Sequence, residues 1–175
     1  MADQKIHLTG VEKTFGDNEI IVSKTDLKGR ITYANNVFLK VAGYKLDEVM
    51  GQPHNLIRHP DMPRCVFKLL WDTLAQEKEI FAYVINRAKD GGHYWVFAHV
   101  TPSYDVNHNL TGYHSNRRVP KRDTVENVII PLYKTLLDEE ASHKNSKQGM
   151  AASTQILLNL LNEKGIGYDQ LILSI

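Results

Sequence analysis

Ile80-Phe81-Ala82-Tyr83-Val84-Ile85-Asn86-Arg87, then Ala88-Lys89-Asp90-Gly91-Gly92, then His93-Tyr94-Trp95-Val96-Phe97-Ala98-His99-Val100-Thr101: this stretch decides the architecture. Both flanking runs are rich in aromatic and β-branched residues, which suit a pleated, half-buried surface. Asp90-Gly91 or Gly91-Gly92 supplies the tight turn between them. The second run continues to Tyr104, and after a loop at Asn107-His108-Asn109 a further strand is predicted from Leu110 to Asn116. Upstream, Ile20 to Ser23 and Ile31 to Tyr33 read as a hairpin around Asp26-Leu27-Lys28-Gly29-Arg30, with Gly29 where a positive φ is needed.

Between the two strand groups the pattern turns helical. Asn35 or Asn36 can cap a short helix through Phe38, Val41 and Ala42 that stops at Gly43. Leu46 to Met50 makes another turn before Gly51. Gln52 to Pro63 holds Pro53, Pro60 and Pro63 and cannot remain regular for long. Beyond it Val66, Phe67, Leu69, Leu70, Trp71 and Leu74 form a strong helical stripe, starting near Met62 with Pro63 in the first turn. Two strands, several short helices and three hairpin-linked strands make an α+β fold: a five-stranded antiparallel sheet with short helices on one face.

Past Pro120 the character changes. Val125, Ile129, Leu132 and Leu136 form an amphipathic stripe, in which Pro131 should kink or restart the helix. His143 to Gly149 reads as a polar linker, and a second helix carries Ile156, Leu157, Leu160 and Leu161 up to Gly165. The tail Leu171-Ile172-Leu173-Ser174-Ile175 is apolar and should be packed on something. The division expected is an N-terminal cap over 1–18, a main domain over 19–119 and C-terminal helices over 120–175.

Composition excludes several function classes. Lys and Arg total 21 against 20 Asp and Glu, so charge gives no reason to expect nucleic acid or an anionic membrane. No run approaches the roughly 20 apolar residues of a membrane helix, so no direct membrane insertion is expected. Met1-Ala2-Asp3-Gln4-Lys5 lacks the apolar run of a signal peptide. With one cysteine, Cys65, no internal disulfide is possible, and a cytoplasmic location is expected. No phosphate-binding glycine loop, His-Glu-x-x-His or nucleophile elbow occurs, so no catalytic residues and no metal site are assigned and the chain reads as a non-enzyme.

The strand and helix order, with the Asp90-Gly91 hairpin leading into His93-Tyr94-Trp95-Val96, resembles a PAS domain. Gly51-Gln52-Pro53-His54-Asn55-Leu56-Ile57-Arg58-His59-Pro60-Asp61-Met62-Pro63 is more specific. It closely resembles the signature of the PAS domain of bacterial aerotaxis and energy-taxis receptors. Asn86-Arg87-Ala88-Lys89-Asp90-Gly91 and Pro131-Leu132-Tyr133 continue the match, which covers roughly residues 20 to 137. The resemblance implies a flavin-binding PAS sensor that holds FAD without a covalent bond and reports redox status. Without the membrane, HAMP and signalling segments usual in such receptors, the chain looks like the PAS partner of a bipartite receptor. Its expected partners are then a membrane chemoreceptor with a HAMP region and a second copy in a homodimer.

A flavin needs a dry slot, polar groups at the ring edge and donors for phosphate. Arg58 and His59 can donate to phosphate or to an anionic ring; alternatively Arg58 and Asp61 pair and cap the following helix. Asn86 resembles the strand asparagine that bonds the flavin edge in related domains, because an amide can both donate and accept. Asn35 is a candidate for a similar contact or is a helix cap. Val96 and Ala98 alternate with Trp95 and Phe97 and are assigned to the pocket side, leaving the aromatics on the outer face to be covered. The resemblance also places His54 and Phe67 near the cofactor, though Phe67 and Trp71 equally suit plain packing. Two departures stand out. Ile80 occupies a position where a Trp is common, with Phe81 or Tyr83 as possible substitutes. His54 sits where light-sensing flavin domains carry a reactive cysteine. The alternative cofactor is haem, with His59, His99 or His114 among the eight histidines as ligand. The other alternative is a cofactor-free docking module, its pocket filled by side chains such as Tyr83, Phe67 and Leu70.

Overall fold

The computed structural model describes residues 7–175, so the signal-peptide reading of Met1 to Lys5 lies outside the described residues. Five antiparallel strands form one sheet: β1 Ile21–Asp26, β2 Ile31–Ala34, β3 Ile80–Arg87, β4 His93–Tyr104 and β5 Leu110–Arg118. Their spatial order is β2-β1-β5-β4-β3, so the two hairpin groups meet where β1 pairs with β5. Gly29 turns the first hairpin at φ 73°, a left-handed conformation that suits glycine.

One face of the sheet carries the helices that intervene in sequence. These are α1 Asn36–Ala42, α2 Leu46–Val49, a 3-10 turn at His54–Ile57 and α3 Arg64–Ala75. Asn35 caps α1 by accepting from the Phe38 amide, and Gly43 ends it in the left-handed region. Helix α3 begins two residues later than its sequence suggests, at Arg64, with Pro63 as its N-cap residue. Phe38, Ile57, Met62 and Val66 are buried here together with Val96 and Ala98.

The C-terminal helices cover the opposite face. After the short helix α4 Arg122–Thr124, residues Val125–Ile129 wind as a π turn, and α5 runs over Ile130–Ser142. The widened turn sits directly before Pro131, which has no N–H to give and would collide with the carbonyl four residues back. Tyr133 of α5 lies against Trp95, with ring centroids 6.1 Å apart, and its hydroxyl donates to the Tyr83 carbonyl at 2.5 Å. Because β3 is an edge strand, that bond satisfies a carbonyl that sheet pairing leaves open.

Helix α6 Ser146–Lys164 packs back along α5 and reaches α3, while α7 Tyr168–Ser174 touches β3. Leu171 and Ile172 of the apolar tail are buried there. The polar linker expected over 143–149 is shorter than its composition implied. Asn145 caps α6, accepting from the Lys147 and Gln148 amides, so Gly149 lies inside a helix. A Cβ on Gly149 would stand 2.5 Å from the Glu140 carbonyl oxygen, which explains a glycine in mid-helix. Gly149→Ala is therefore expected to cost about 1–3 kcal/mol by overpacking, read as a lowered urea midpoint with an unchanged slope.

Candidate functional site

Between α3 and the sheet lies a mostly apolar cavity that opens to solvent at its mouth, its interior volume about 80 Å³. Val84, Ala98 and Val100 form its sheet wall, and Met62, Val66, Phe67 and Leu70 form its helix wall. Cross-strand register explains the sheet wall. Ala82 opposes Ala98 and Val84 opposes Val96, so these residues share the inner face, while Tyr83 opposes Phe97 on the outer one. Val96 faces inward and is fully buried, beside the cavity walls rather than among them.

Polar groups enter at named points. Asn86 is 3% exposed and lines the cavity, and among the described residues its side-chain amide has no hydrogen-bond partner. Thr25 is also in the lining, and its buried hydroxyl has no partner among the described residues. Buried polar groups are normally paired, so an unpaired hydroxyl and a strand amide on the lining of one mostly apolar slot mark a place for a ligand. Arg58 stands over the Phe67 ring at 4.6 Å and donates to the Met62 carbonyl at 3.3 Å. Its backbone bridges to Asn86, closing the free edge of β3. Trp71 is half-exposed, packing edge-on against Tyr113 with centroids 5.6 Å apart.

His54 is the histidine among the lining residues. Its Nε2 lies 3.1 Å from the Ser23 hydroxyl. Burial, reinforced by the nearby Arg117 charge, drops its pKa to about 3, so the imidazole is neutral. The folded protein then binds fewer protons than the unfolded chain between about pH 6.5 and 3, and stability falls as pH drops through that window. His54→Gln, which keeps an acceptor, is expected to flatten the decline in urea midpoint between pH 7 and 4.

Several candidates stand elsewhere. Asn35 is wholly engaged: its Oδ1 accepts from the Val22 and Phe38 amides, and its Nδ2 donates to the Ile20 carbonyl. It is a cap that also ties α1 to β1, and it is not a cavity residue. His59 and Asp61 line a separate groove on the other side of β3, with His93, Trp95, Tyr133 and Lys134. There the Asp61 amide donates to His59 Nδ1 at 3.1 Å. Pro60 redirects the chain between Arg58 and Met62, so neighbours in sequence face different compartments. No Arg58–Asp61 ion pair forms among the described residues, so Asp61 does not hold Arg58.

Phe81 and Tyr83 do not replace the missing tryptophan, and Tyr83 does not fill the cavity, because both lie on the outer face. Phe81 stacks on His99 at 4.2 Å and Tyr83 packs on Phe97 at 5.0 Å. Ile80 is buried with Leu74 and Val100. The haem candidates His59, His99 and His114 are likewise absent from the cavity lining. Cys65 is buried outside that lining, its thiol pKa pushed up to about 11 by burial, and it stays protonated. Thr25, Ser23 and Ser115 escaped sequence reasoning, since a hydroxyl on a strand carries no local signal of which face it takes.

Comparison with known proteins agrees with this geometry. A family described as PAS fold matches residues 31–117. The aerotaxis receptor of Escherichia coli (strain K12) is 41% identical over 132 residues, 74% of this chain and 25% of the receptor. The nitrogen fixation regulatory protein of Klebsiella pneumoniae is 33% identical over 99 residues, 57% of this chain and 20% of that protein. The chain thus spans a quarter or less of the length of these relatives. A light-oxygen-voltage domain whose mechanism was studied with a flavin analogue superposes with a TM-score of 0.55 at 21% identity, covering 71% of this chain and 87% of that one, which is a likeness of fold. With the sheet order, the helices over its inner face and the loop sequence all in agreement, this chain belongs to the PAS family, and its PAS domain is of the aerotaxis-receptor kind.

Proposed function

We propose that the chain is a signalling module that binds FAD non-covalently in the cavity between α3 and the sheet, and relays redox or oxygen status to a membrane chemoreceptor in energy taxis. The observation that carries this reading is the placement of Asn86 and of the unpaired Thr25 hydroxyl on the lining of one mostly apolar slot. A flavin ring has that chemistry, with flat apolar faces and donors and acceptors along one edge. When bound it would supply a redox couple whose charge and proton content change at that edge.

The residues of the chain then have separate roles. Asn86 orients the ring edge, since an amide can donate to one ring atom and accept from another. Ala98 leaves room for a planar group, while Val84, Val100, Val66 and Leu70 exclude water from its faces. Arg58, half-buried at α3's entry and steadied by Phe67, is the donor for phosphate. The Glu140 carboxylate of α5 accepts from the Cys65 amide at the start of α3, at 3.0 Å, and from the Ser153 hydroxyl of α6 at 3.1 Å. A shift in α3 therefore reaches both C-terminal helices through one side chain, while a shift in β3 reaches α5 through Tyr133. Such coupling needs contacts that differ between two states of the ligand. The relay surface, the HAMP region of a membrane receptor as its partner, a homodimer, a cytoplasmic location and the division at 19–119 and 120–175 belong to the same proposal. No helix of the described residues is long and apolar enough to cross a membrane.

An absorption spectrum of the purified chain, followed by acid release and chromatography of the chromophore, tests the reading. The expected result is a two-banded oxidised flavin spectrum that yields FAD. A sharp Soret band would move the cofactor to haem. A protein that stays colourless after incubation with FAD would leave a docking module.

A further inference from the structure

Arg117 is a buried cation that meets no anion among the described residues. It lies on β5 opposite Ala98 of β4 and is 2% exposed. Its Nε donates to the Ser115 hydroxyl at 3.0 Å, and one terminal nitrogen donates to the Ser23 hydroxyl and approaches His54 Nε2 at 3.5 Å. Among the described residues the other terminal nitrogen has no partner, and neither has the buried Tyr94 hydroxyl. The guanidinium also lies 5.4 Å from the centre of the Phe38 ring. No carboxylate contacts it among the described residues, and burial lowers its pKa to about 10, which leaves it charged at neutral pH.

Holding an uncompensated charge in a protein interior costs several kcal/mol. Two hydroxyls and a neutral imidazole satisfy its donors only in part and leave its charge standing. All three of those groups, Ser23, Ser115 and His54, line the cavity. Arg117 itself is not in the lining, so its unanswered charge stands one layer behind these three groups. Arg58 is the arginine in the lining, beside Met62 and Phe67. Destabilising features of this kind belong at functional sites, where a ligand completes them.

Resting on the flavin reading, we propose that Arg117 is the charge partner of the ligand, its positive charge backing Ser23, Ser115 and His54 where they meet the acceptor-rich, negatively polarised edge of the ring, while Arg58 serves the phosphates. A diphosphate, strongly hydrated, suits the part-exposed Arg58; an enclosed guanidinium behind two hydroxyls suits a ring edge that sheds its water once.

The test uses the full chain stripped of chromophore, as wild type, R117M and R117K, titrated with FAD and with riboflavin, which lacks phosphate. R117M is expected to melt at or above the wild-type temperature, because a buried charge is replaced by an apolar chain of similar length. Its dissociation constants for FAD and riboflavin should rise by the same factor, about tenfold or more. R117K, which keeps the charge, should stay within about threefold of wild type. An R117M variant that fails to fold, or that binds both flavins like wild type, would make Arg117 a structural residue and overturn the inference. Weakening for FAD alone would assign Arg117 to phosphate and overturn it too. A wild-type protein that binds neither probe would remove the flavin reading itself, an outcome distinct from all of these.

Discussion

Asn86→Ala is expected to weaken FAD binding by about tenfold to a hundredfold while the stripped protein keeps its melting temperature within a few degrees. The asymmetry follows from what the amide does in each state. Without a ligand its side chain bonds to nothing among the described residues although the residue is 3% exposed, so removing it forfeits no internal hydrogen bond. With a ligand bound, the alanine leaves ring-edge donors and acceptors unpaired in an apolar slot. Each such loss costs about 1–3 kcal/mol, and every 1.4 kcal/mol is tenfold in affinity. Fluorescence titration and a thermal melt of the same preparation separate the two effects. Unchanged affinity would remove Asn86 from the site, and a large drop in melting temperature without ligand would make it a packing residue.

Tyr133→Ala is expected to destabilise the chain by about 3–5 kcal/mol, the usual cost of deleting a buried aromatic ring. Tyr133 is 4% exposed, packs on Trp95 and donates to the Tyr83 carbonyl on the free edge of β3. Tyr133→Phe keeps the ring and loses only the bond, so its cost should be about 1–2 kcal/mol. Urea denaturation of both variants measures the ladder. A small effect of Tyr133→Ala would mean that α5 rests loosely on the sheet and that the C-terminal helices contribute little to its stability. The ratio of the two costs also reports how much of the α5 contact is apolar burial rather than edge satisfaction.

Fold and site were legible to different depths. All five strands and the helices around Phe38 and Val66 could be read because their signals are local: alternation along a strand, an asparagine cap, a glycine in the left-handed region. The loop from Gly51 to Pro63 carried the family resemblance. Within it, however, the roles of Arg58, His59 and Asp61 were not separable, because three prolines turn the chain and no periodic rule says which way each side chain leaves it.

The alternation of β4 by itself determined that Ala98 and Trp95 face opposite sides, and that a large aromatic face would need a cover. Only the tertiary structure decided that α5 is this cover, that His59 and Asp61 lie in a groove across β3 from the cavity, and that Asn35 spends its amide on the backbone. It alone also brought Ser23 of β1, His54 of the loop and Arg117 of β5 together. The reason is physical: periodicity records which side of its own element a residue takes, whereas meetings between distant elements depend on sheet order. Strands β1 and β5 are neighbours although about ninety residues apart in sequence, a separation that no local pattern encodes.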